Sequence, residues 1–381
     1  MDDDKTKGNG HMAMTIDGPR HLNGNVLMVE RLGGNYSSPC SCFKKDECVP
    51  LSLNTLSSYF EYPCQGENGK IESTRDLVFE LNKLKEWDCT TIVDITLDTE
   101  ELPTRMETLK TLSKQTQMSI IIGTGQEQKH ANKHPILIAF EMEQKLIRKV
   151  CPAGYLGPFP SDIAPFILEA AVLVQERRGT PIYLLMDITW KRRLLEYTGN
   201  KKNTILCHAD SFLMDIPNWL QLGYMISIDS IGLASVAFKN CRKPLQSLSC
   251  DYELILHLNV WYTEHKHQLL FSHGLGYKTQ LQTYGGHGLS YLFQYFLPKV
   301  QENISKEDCR IITQETPYSI LHWYLPWKVQ ATVVLEQWPC YTCDALFEPI
   351  EGYYYSKFIF NYCSMSCLRK HKKEAYRVRP T

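Results

Sequence analysis

Short apolar runs alternate along this chain with longer segments in which apolar residues recur every three or four positions. The short runs are typical of buried strands, and the longer period is typical of amphipathic helices. Predicted strands cover 25–29, 90–95, 118–122, 146–150, 181–186, 204–207, 225–228 and 269–271. Predicted helices cover 74–85, 102–116, 163–178, 191–197, 216–222, 250–263 and 289–300.

This alternation repeats about eight times, which predicts an α/β fold of the (β/α)8 TIM-barrel class. A chain of 381 residues has room for such a barrel and an appendage. We expect three regions: a disordered polar tail over 1–20, the barrel over 21–328, and a small metal-binding module with a basic tail over 335–381.

Charge balance, apolar runs and cysteine content bear on which class of function the chain can have. Lys and Arg number 41 against 42 Asp and Glu, so no global field favours nucleic acid or an anionic membrane. The chain lacks an apolar run of 18 residues, and its start, Met-Asp-Asp-Asp-Lys, is unlike a signal peptide. Fourteen cysteines in such a chain predict reduced thiols and metal ligands in a cytoplasmic or nuclear protein.

The strand predicted at 269–271 ends in Ser272-His273-Gly274, and a glycine-rich turn, Tyr284-Gly-Gly-His-Gly288, precedes the next helix. This places a long polar loop at the carboxyl end of a strand, where α/β proteins usually bind their ligands. The stretch resembles the last barrel strand of the phosphotriesterase family of amidohydrolases, which reads Ser-His-Asp and then Tyr-Gly-Gly-x-Gly. Further segments resemble that family in the same order: 91–96, 120–125, His134-Pro135, 149–154, 207–210 and 222–229.

The resemblance spans about residues 24–323 and implies a site for two divalent metals with a bridging hydroxide as nucleophile. In the family the ligands are a His-x-His on strand one, a carbamylated lysine on strand four, histidines on strands five and six, and an aspartate on strand eight. Carried over one at a time, these positions are Val29, Arg31, Lys149, Leu185, His208 and Gly274.

Lys149 and His208 keep the family's residue type, whereas the other four positions do not. Arg31 would put a permanent positive charge where a metal should lie. We therefore expect no barrel metal. Two interpretations of Arg31, Lys149 and His208 stay open: a repurposed pocket for an anionic ligand, or structural remnants.

After residue 327 the pattern changes to Cys340-x2-Cys343, a gap of nineteen residues, and Cys363-x3-Cys367. Two cysteine pairs around a hairpin, followed by a basic helix, predict a treble-clef finger that holds structural zinc. The sequence around Cys363, Tyr362-Cys-Ser-Met-Ser-Cys367, resembles that of FCS- and MYM-type fingers. The alternative is a set of four reduced, buried thiols.

A second zinc site at Cys40, Cys42, Cys48 and Cys64 fits no established spacing.

Three functions follow from these observations. The first is a pseudoenzyme that binds a protein partner through its finger and barrel loops. The second is a divergent metallohydrolase with one metal near His208, Lys149 and an acid such as Asp94 or Asp187. The third is a nucleic-acid-associated factor that uses the basic tail, including Arg369, Lys370 and Lys372. The replaced ligand positions favour the first, and oligomeric state is left open.

Overall fold

The computed structural model describes residues 11–35, 50–61, 66–96, 102–125, 134–233, 250–323, 338–347, 355–357 and 360–377. The strands are β1 Met12–Thr15, β2 Gly18–His21, β3 Asn25–Glu30, β4 Gly34–Asn35, β5 Lys70–Ile71, β6 Cys89–Asp94, β7 Ser119–Ile122, β8 Leu156–Phe159, β9 Ile182–Leu185, β10 Thr204–Cys207, β11 Met225–Ile228, β12 Leu269–Phe271, β13 Trp338–Pro339, β14 Leu346–Phe347, β15 Tyr355–Lys357 and β16 Phe360–Tyr362.

The helices are α1 Leu56–Glu61, α2 Thr74–Lys85, α3 Leu102–Thr116, α4 Pro135–Ile147, α5 Pro165–Arg178, α6 Ile188–Arg193, α7 Ile216–Gln221, α8 Asp251–His265, α9 Leu297–Val300, α10 Lys306–Arg310, α11 Thr316–Leu321 and α12 Met365–Arg377. A π-helical turn, Leu292–Phe296, leads into α9, and another, Ile311–Glu315, joins α10 to α11. In the part of the chain described here, no helix combines the length and apolar character needed to cross a membrane.

Eight parallel strands form the barrel predicted from the sequence, in the order β3, β6, β7, β8, β9, β10, β11, β12. The bridge between Gly123 and Tyr155 joins β7 to β8. The ring closes where the amide of Gly274 donates to the carbonyl of Val29 at 3.2 Å. Because the strands are parallel, their carboxyl ends share one rim, which we call the barrel mouth.

Apolar side chains from alternate strand positions fill the barrel, so it has a packed core rather than a channel. Buried members of this interior cluster are Val26, Met28, Val29, Val93, Ile121, Tyr155, Tyr183, Ile205, Cys207, Met225 and Leu270. A larger apolar cluster lies between the strands and the surrounding helices. A binding site in the barrel must therefore lie at its mouth.

The predicted disorder of the tail over 1–20 is wrong for residues 12–20. There β1 and β2 form an antiparallel hairpin whose two-residue turn is Ile16-Asp17, and Gly18 begins β2 with a φ of +106°. Ala13 packs into the barrel interior, and the Ile16 amide donates to the Ile120 carbonyl at 2.8 Å. The hairpin closes the amino-terminal end of the barrel, and residues 1–10 lie outside the described chain.

The strand predicted at 146–150 is also wrong, because these residues end a helix. In α4, Ile138, Met142 and Leu146 are buried four residues apart, which is a helical period. His134 caps this helix by accepting the Ile136 amide at 3.3 Å, and Pro135 occupies its first turn. The fourth barrel strand is instead β8, which reads Leu-Gly-Pro-Phe.

The carboxyl-terminal module has the order expected for a treble clef. Strands β13 and β14 pair antiparallel as a knuckle, β15 and β16 form a hairpin, and α12 follows. An aromatic cluster of Tyr341, Phe360, Tyr362 and His371 supplies its small core.

A buried carboxylate ties the first barrel strand to the last. Glu30 on β3 is fully buried, and its Oε1 accepts the His273 amide at 2.7 Å and lies 3.0 Å from His273 Nδ1. The Leu292 amide donates to His273 Nε2 at 3.0 Å, so the proton lies on Nδ1 and points at Glu30. His273 therefore faces away from the mouth, as the alternation of strand residues predicts.

Glu30→Ala is expected to lower the free energy of unfolding by about 3–5 kcal/mol, since it leaves a buried imidazole and a buried amide without their acceptor. Urea denaturation followed through the barrel transition measures this loss. Glu72→Ala, at an exposed position, is the control and should stay within about 0.5 kcal/mol of the original chain. A loss below about 1 kcal/mol for Glu30→Ala would show that Glu30 does not tie the strands together.

Candidate functional site

The barrel mouth brings together residues that follow the carboxyl ends of three different strands. Arg31 follows β3, His208 follows β10 and Asp229 follows β11. The Arg31 Nη2 lies 2.9 Å from His208 Nε2, and Arg31 Nη1 donates to the Gly274 carbonyl at 3.2 Å. On the other side of the ring, His208 Nδ1 lies 2.8 Å from Asp229 Oδ1.

The donor and acceptor properties of these groups determine which ring nitrogen of His208 carries the proton. A guanidinium only donates hydrogen bonds, so His208 Nε2 must accept from Arg31 and Nδ1 must carry the proton that Asp229 accepts. A metal-bound histidine makes the same Nδ1 bond to a carboxylate while its Nε2 binds the ion. Here a guanidinium takes the Nε2 lone pair that a metal would need.

The backbone holds His208 in place. Its φ of 59° lies in the left-handed region, which is rare for a residue with a side chain. The His208 amide donates to Asp229 Oδ2 at 2.8 Å, so one buried carboxylate binds both the backbone and the ring of this residue. About a quarter of the His208 side chain remains exposed, at 26%.

The strand-eight position is closed to a carboxylate. Gly274 has a φ of +62°, and a Cβ added there would lie 2.8 Å from the Asp229 carbonyl oxygen. Such a contact is too short for any side chain without movement of the backbone. The same Cβ would lie 3.7 Å from His208 Cε1, so position 274 does face His208, as the family resemblance implies.

The remaining carried-over positions divide in two. Val29 belongs to the buried barrel interior, and Leu185 is half-buried at its edge. Lys149 is exposed in the turn between α4 and β8, on the amino-terminal side of that strand, so the structure does not bring it to Arg31 and His208. Assigning Lys149 to strand four was wrong because the helix extends to Ile147, and β8 itself contains no lysine.

Asp210 is the residue at the mouth that sequence reasoning missed. It is buried, and its Oδ2 accepts the amides of Asp229 at 3.0 Å and Ser230 at 2.7 Å, as well as the Ser230 hydroxyl. Burial and the neighbouring negative charge of Asp229 raise its pKa. The segment His208-Ala-Asp210 was visible in the sequence, but no local pattern showed that Asp210 positions Asp229.

The two acids considered for a reduced metal site have other partners. Asp94 Oδ1 accepts the Leu32 amide at 3.0 Å and the Thr96 hydroxyl at 2.7 Å, and its other oxygen pairs with Arg105. Asp187 caps α6 by accepting the amides of Thr189 and Trp190.

The four predicted cysteine ligands do come together. The sulfur atoms of Cys340, Cys343, Cys363 and Cys367 all lie within 4.8 Å of one another. Sγ of Cys343 is 3.5 Å from that of Cys363, which is 3.8 Å from that of Cys367. Thiolates about 2.3 Å from a tetrahedral zinc ion would be about 3.8 Å apart, so this geometry fits zinc.

Local structure explains why these thiols converge. The knuckle turns tightly after Cys340, whose carbonyl accepts the Asp344 amide at 2.9 Å, and Asp344 adopts a φ of 56°. Burial alone would raise the pKa of the Cys340 thiol. The backbone amides of Cys363, Thr342 and Cys343 donate to its sulfur and outweigh that effect, so the pKa is lowered to about 7. A thiolate is the form that binds zinc.

Within the described residues this is the one group of three or more His, Cys, Asp or Glu side chains arranged to hold a metal. The four cysteines considered for a second zinc site, Cys40, Cys42, Cys48 and Cys64, all lie outside the described residues.

The full chain is expected to carry one zinc ion at the finger, and Cys343→Ser or Cys367→Ser should remove it. Elemental analysis of zinc per chain, with hydrogen exchange over α12, provides the measurement, because loss of the ion should also unfold this small module. Cys250→Ser, an exposed thiol outside the cluster, is the matched control. Zinc retained in both cluster variants would contradict the assignment.

Comparisons with known proteins match two parts of the chain. Residues 336–378 match the family model of the Vms1-associating treble clef domain. Over 267 residues the chain is 24% identical to the phosphotriesterase-related protein of Nematostella vectensis, covering 62% of this chain and 75% of that protein. It is 22% identical over 236 residues to the N-acetyltaurine hydrolase of Danio rerio, covering 55% of this chain and 66% of that one.

Among solved structures, the resiniferatoxin-binding protein from Rhodobacter sphaeroides superposes with a TM-score of 0.70 at 20% identity. The match covers 82% of this chain and 95% of that one, which establishes a shared fold. The chain therefore joins a (β/α)8 barrel that is similar in fold to phosphotriesterase-like barrels to a treble-clef domain that matches the Vms1-associating model over residues 336–378.

Proposed function

We propose that this protein is a catalytically degenerate member of the phosphotriesterase-like group that acts as a protein-interaction or scaffold factor. The observation that carries the proposal is the bond between Arg31 and His208. A guanidinium 2.9 Å from Nε2 occupies the lone pair through which this histidine would bind a metal. A metal at the same nitrogen would also meet the permanent positive charge of Arg31.

Three further positions support loss of the binuclear site. Val29 and Leu185 offer no donor atoms, and the backbone at Gly274 leaves no room for an aspartate. Without metals to lower it, the pKa of a water molecule at this site stays far above neutrality, so no hydroxide nucleophile forms. The barrel then serves as a rigid body that carries surfaces for binding.

The finger is the part that supports a role in binding other proteins. Its four thiols have a geometry that fits zinc, and the rings of Tyr341 and Phe360, which lie 4.1 Å apart in its small core, are only half-buried, so part of each ring is open to a partner. The name of the matching family refers to association with Vms1. Aromatic side chains are enriched at protein interfaces, where they supply contact area at a small cost in entropy.

Two alternatives have some support. A divergent hydrolase is suggested by the hydrolase name of the Danio rerio relative and by the preserved contact between His208 and Asp229. A nucleic-acid-associated role is suggested by Arg369 and Lys370, which are exposed on α12. Asp94 and Asp187, the acids that a reduced metal site would recruit, are committed to Arg105 and to the cap of α6.

One comparison of variants separates these functions. The full chain, His208→Ala and Cys363→Ser would be tested for hydrolysis of esters, lactones and amides, including N-acetyltaurine, with and without added zinc or manganese. Proteins captured by each variant from the same cells would be quantified in parallel. We expect no turnover from any variant, and a partner set that is retained by His208→Ala and lost by Cys363→Ser.

Metal-dependent turnover that disappears in His208→Ala would favour the hydrolase and overturn the proposal. Capture of nucleic acid that weakens with salt, and is lost when Arg369, Lys370 and Lys372 are changed to Ala, would favour the third function. If Cys363→Ser captures the same partners as the original chain, the finger is not required for the interaction.

A further inference from the structure

The four thiols of the finger differ in how far solvent reaches them. Cys340 is buried, Cys363 and Cys367 are half-buried, and Cys343 is exposed. Oxidation of a cysteine depends on its exposure and on its thiolate character, and a thiol that holds zinc is bound as its thiolate. A small oxidant that arrives from water therefore meets the sulfur of Cys343 first.

A second thiol of the cluster lies against Cys343. The sulfur of Cys343 is 3.5 Å from that of Cys363. The backbone holds the two segments together, because the Tyr341 amide donates to the Asn361 carbonyl at 2.9 Å. Each of these two residues precedes one of the cysteines by two positions. The sulfurs of a disulfide bond are about 2.05 Å apart, so a movement of about 1.5 Å lets this pair join.

We propose that Cys343 is a site of reversible oxidation by hydrogen peroxide, and that Cys363 is the thiolate that completes the reaction. The Cys343 thiolate attacks the O–O bond and becomes a sulfenic acid, and hydroxide leaves. The Cys363 thiolate then attacks the Cys343 sulfur, the disulfide bond forms, and a second hydroxide leaves. Two protons from solvent convert the hydroxides into water. Two thiolate sulfurs are thereby oxidised and one peroxide is reduced.

This disulfide takes two of the four ligands away from the zinc ion. Cys340 and Cys367 remain, and two thiolates do not complete a tetrahedral site. The module has only a small core, so loss of the ion should unfold it. Helix α12 is affected most directly, because it carries Cys367, whose carbonyl accepts the Thr342 hydroxyl of the knuckle at 2.9 Å.

Oxidation of the finger then controls partner binding. If the finger holds the protein partner, peroxide should release that partner together with the zinc ion, and reduction should allow it to bind again. This consequence rests on the proposed function, whereas the oxidation of Cys343 does not.

Thiols elsewhere in the chain provide an internal comparison. Cys89, Cys151, Cys207 and Cys309 are buried, so a limited dose of peroxide should leave them reduced. Cys250, next to the first residue of α8, is exposed and lies outside the cluster. It therefore tests whether exposure of a thiol is sufficient to cause the loss of zinc, and we expect that it is not.

A peroxide titration of the zinc-loaded full chain tests the proposal. A chromogenic chelator measures the released zinc, and peptide mapping without reductant identifies the joined cysteines. We expect release of the finger's zinc ion together with a Cys343–Cys363 disulfide, and recovery of the ion after reduction with zinc present. Cys250→Ser should release zinc at the rate of the original chain. A finger that keeps its zinc and its thiols, or a disulfide within Cys340–Cys343 or Cys363–Cys367, would overturn the proposal.

Two histidine substitutions separate the oxidation from zinc binding. Cys343→His and Cys367→His each leave three thiolates and an imidazole, a ligand set that also holds zinc. Both are loaded with zinc before peroxide is added. Cys343→His should release the ion at least about tenfold more slowly than Cys367→His, because only the latter keeps both reacting sulfurs. Equal rates of release from the two variants would contradict the assignment of Cys343.

Partner capture by the oxidised chain distinguishes this proposal from the proposed function. Loss of the partners together with the zinc ion supports both. If the disulfide forms and zinc leaves while the same partners stay bound, the oxidation site is supported and the role of the finger in binding is overturned.

Discussion

The lone pair on His208 Nε2 can be used once, and in this protein a guanidinium uses it. Arg31 donates to that nitrogen, Asp229 holds the opposite side of the ring, and Asp210 in turn fixes the backbone of Asp229. Three strand ends are thereby joined through groups that satisfy one another's protons. A histidine bonded on both sides in this way offers no free electron pair to an ion, and the proposed loss of the barrel metals rests on this one contact.

The barrel beneath the mouth is held by carboxylates that accept backbone amides. Glu30 joins the first strand to the last, and Glu80, also fully buried, accepts the amides of Gln282 at 2.6 Å and Leu289 at 3.0 Å. Burial raises the pKa of Glu80, against the effect of those two amides. The long loop after β12 is thus fixed at several points by acceptors outside it. This places rigidity where a phosphotriesterase-like barrel would carry its last metal ligand.

Much of the fold could be predicted because several elements have strong local periodicity. The predicted bounds of α2, α3, β10, β11 and β12 match the structure, since each is a long amphipathic segment or a short apolar run between turn residues. The prediction failed at β8, whose Gly157 and Pro158 have poor strand propensity. That strand exists because β9 pairs with it, which is tertiary information.

The site was predictable only in part for the same reason. The cysteine spacing specified the zinc cluster directly, because all four ligands lie within one short module. Arg31 and His208 are separated by 177 residues, and their contact depends on how eight strands align around the barrel. Lys149 was misplaced because an error of one element in assigning strand four moved it from one end of the barrel to the other.

The proposed loss of the barrel metals is tested most directly by an anomalous difference map, recorded at the zinc absorption edge from crystals of the full chain grown with excess zinc. We expect a peak among Cys340, Cys343, Cys363 and Cys367, and the Arg31 guanidinium within hydrogen-bond distance of His208 Nε2 with no ion between them. A second peak within about 2.1 Å of His208 Nε2 would contradict it, because zinc would then hold the nitrogen assigned to Arg31.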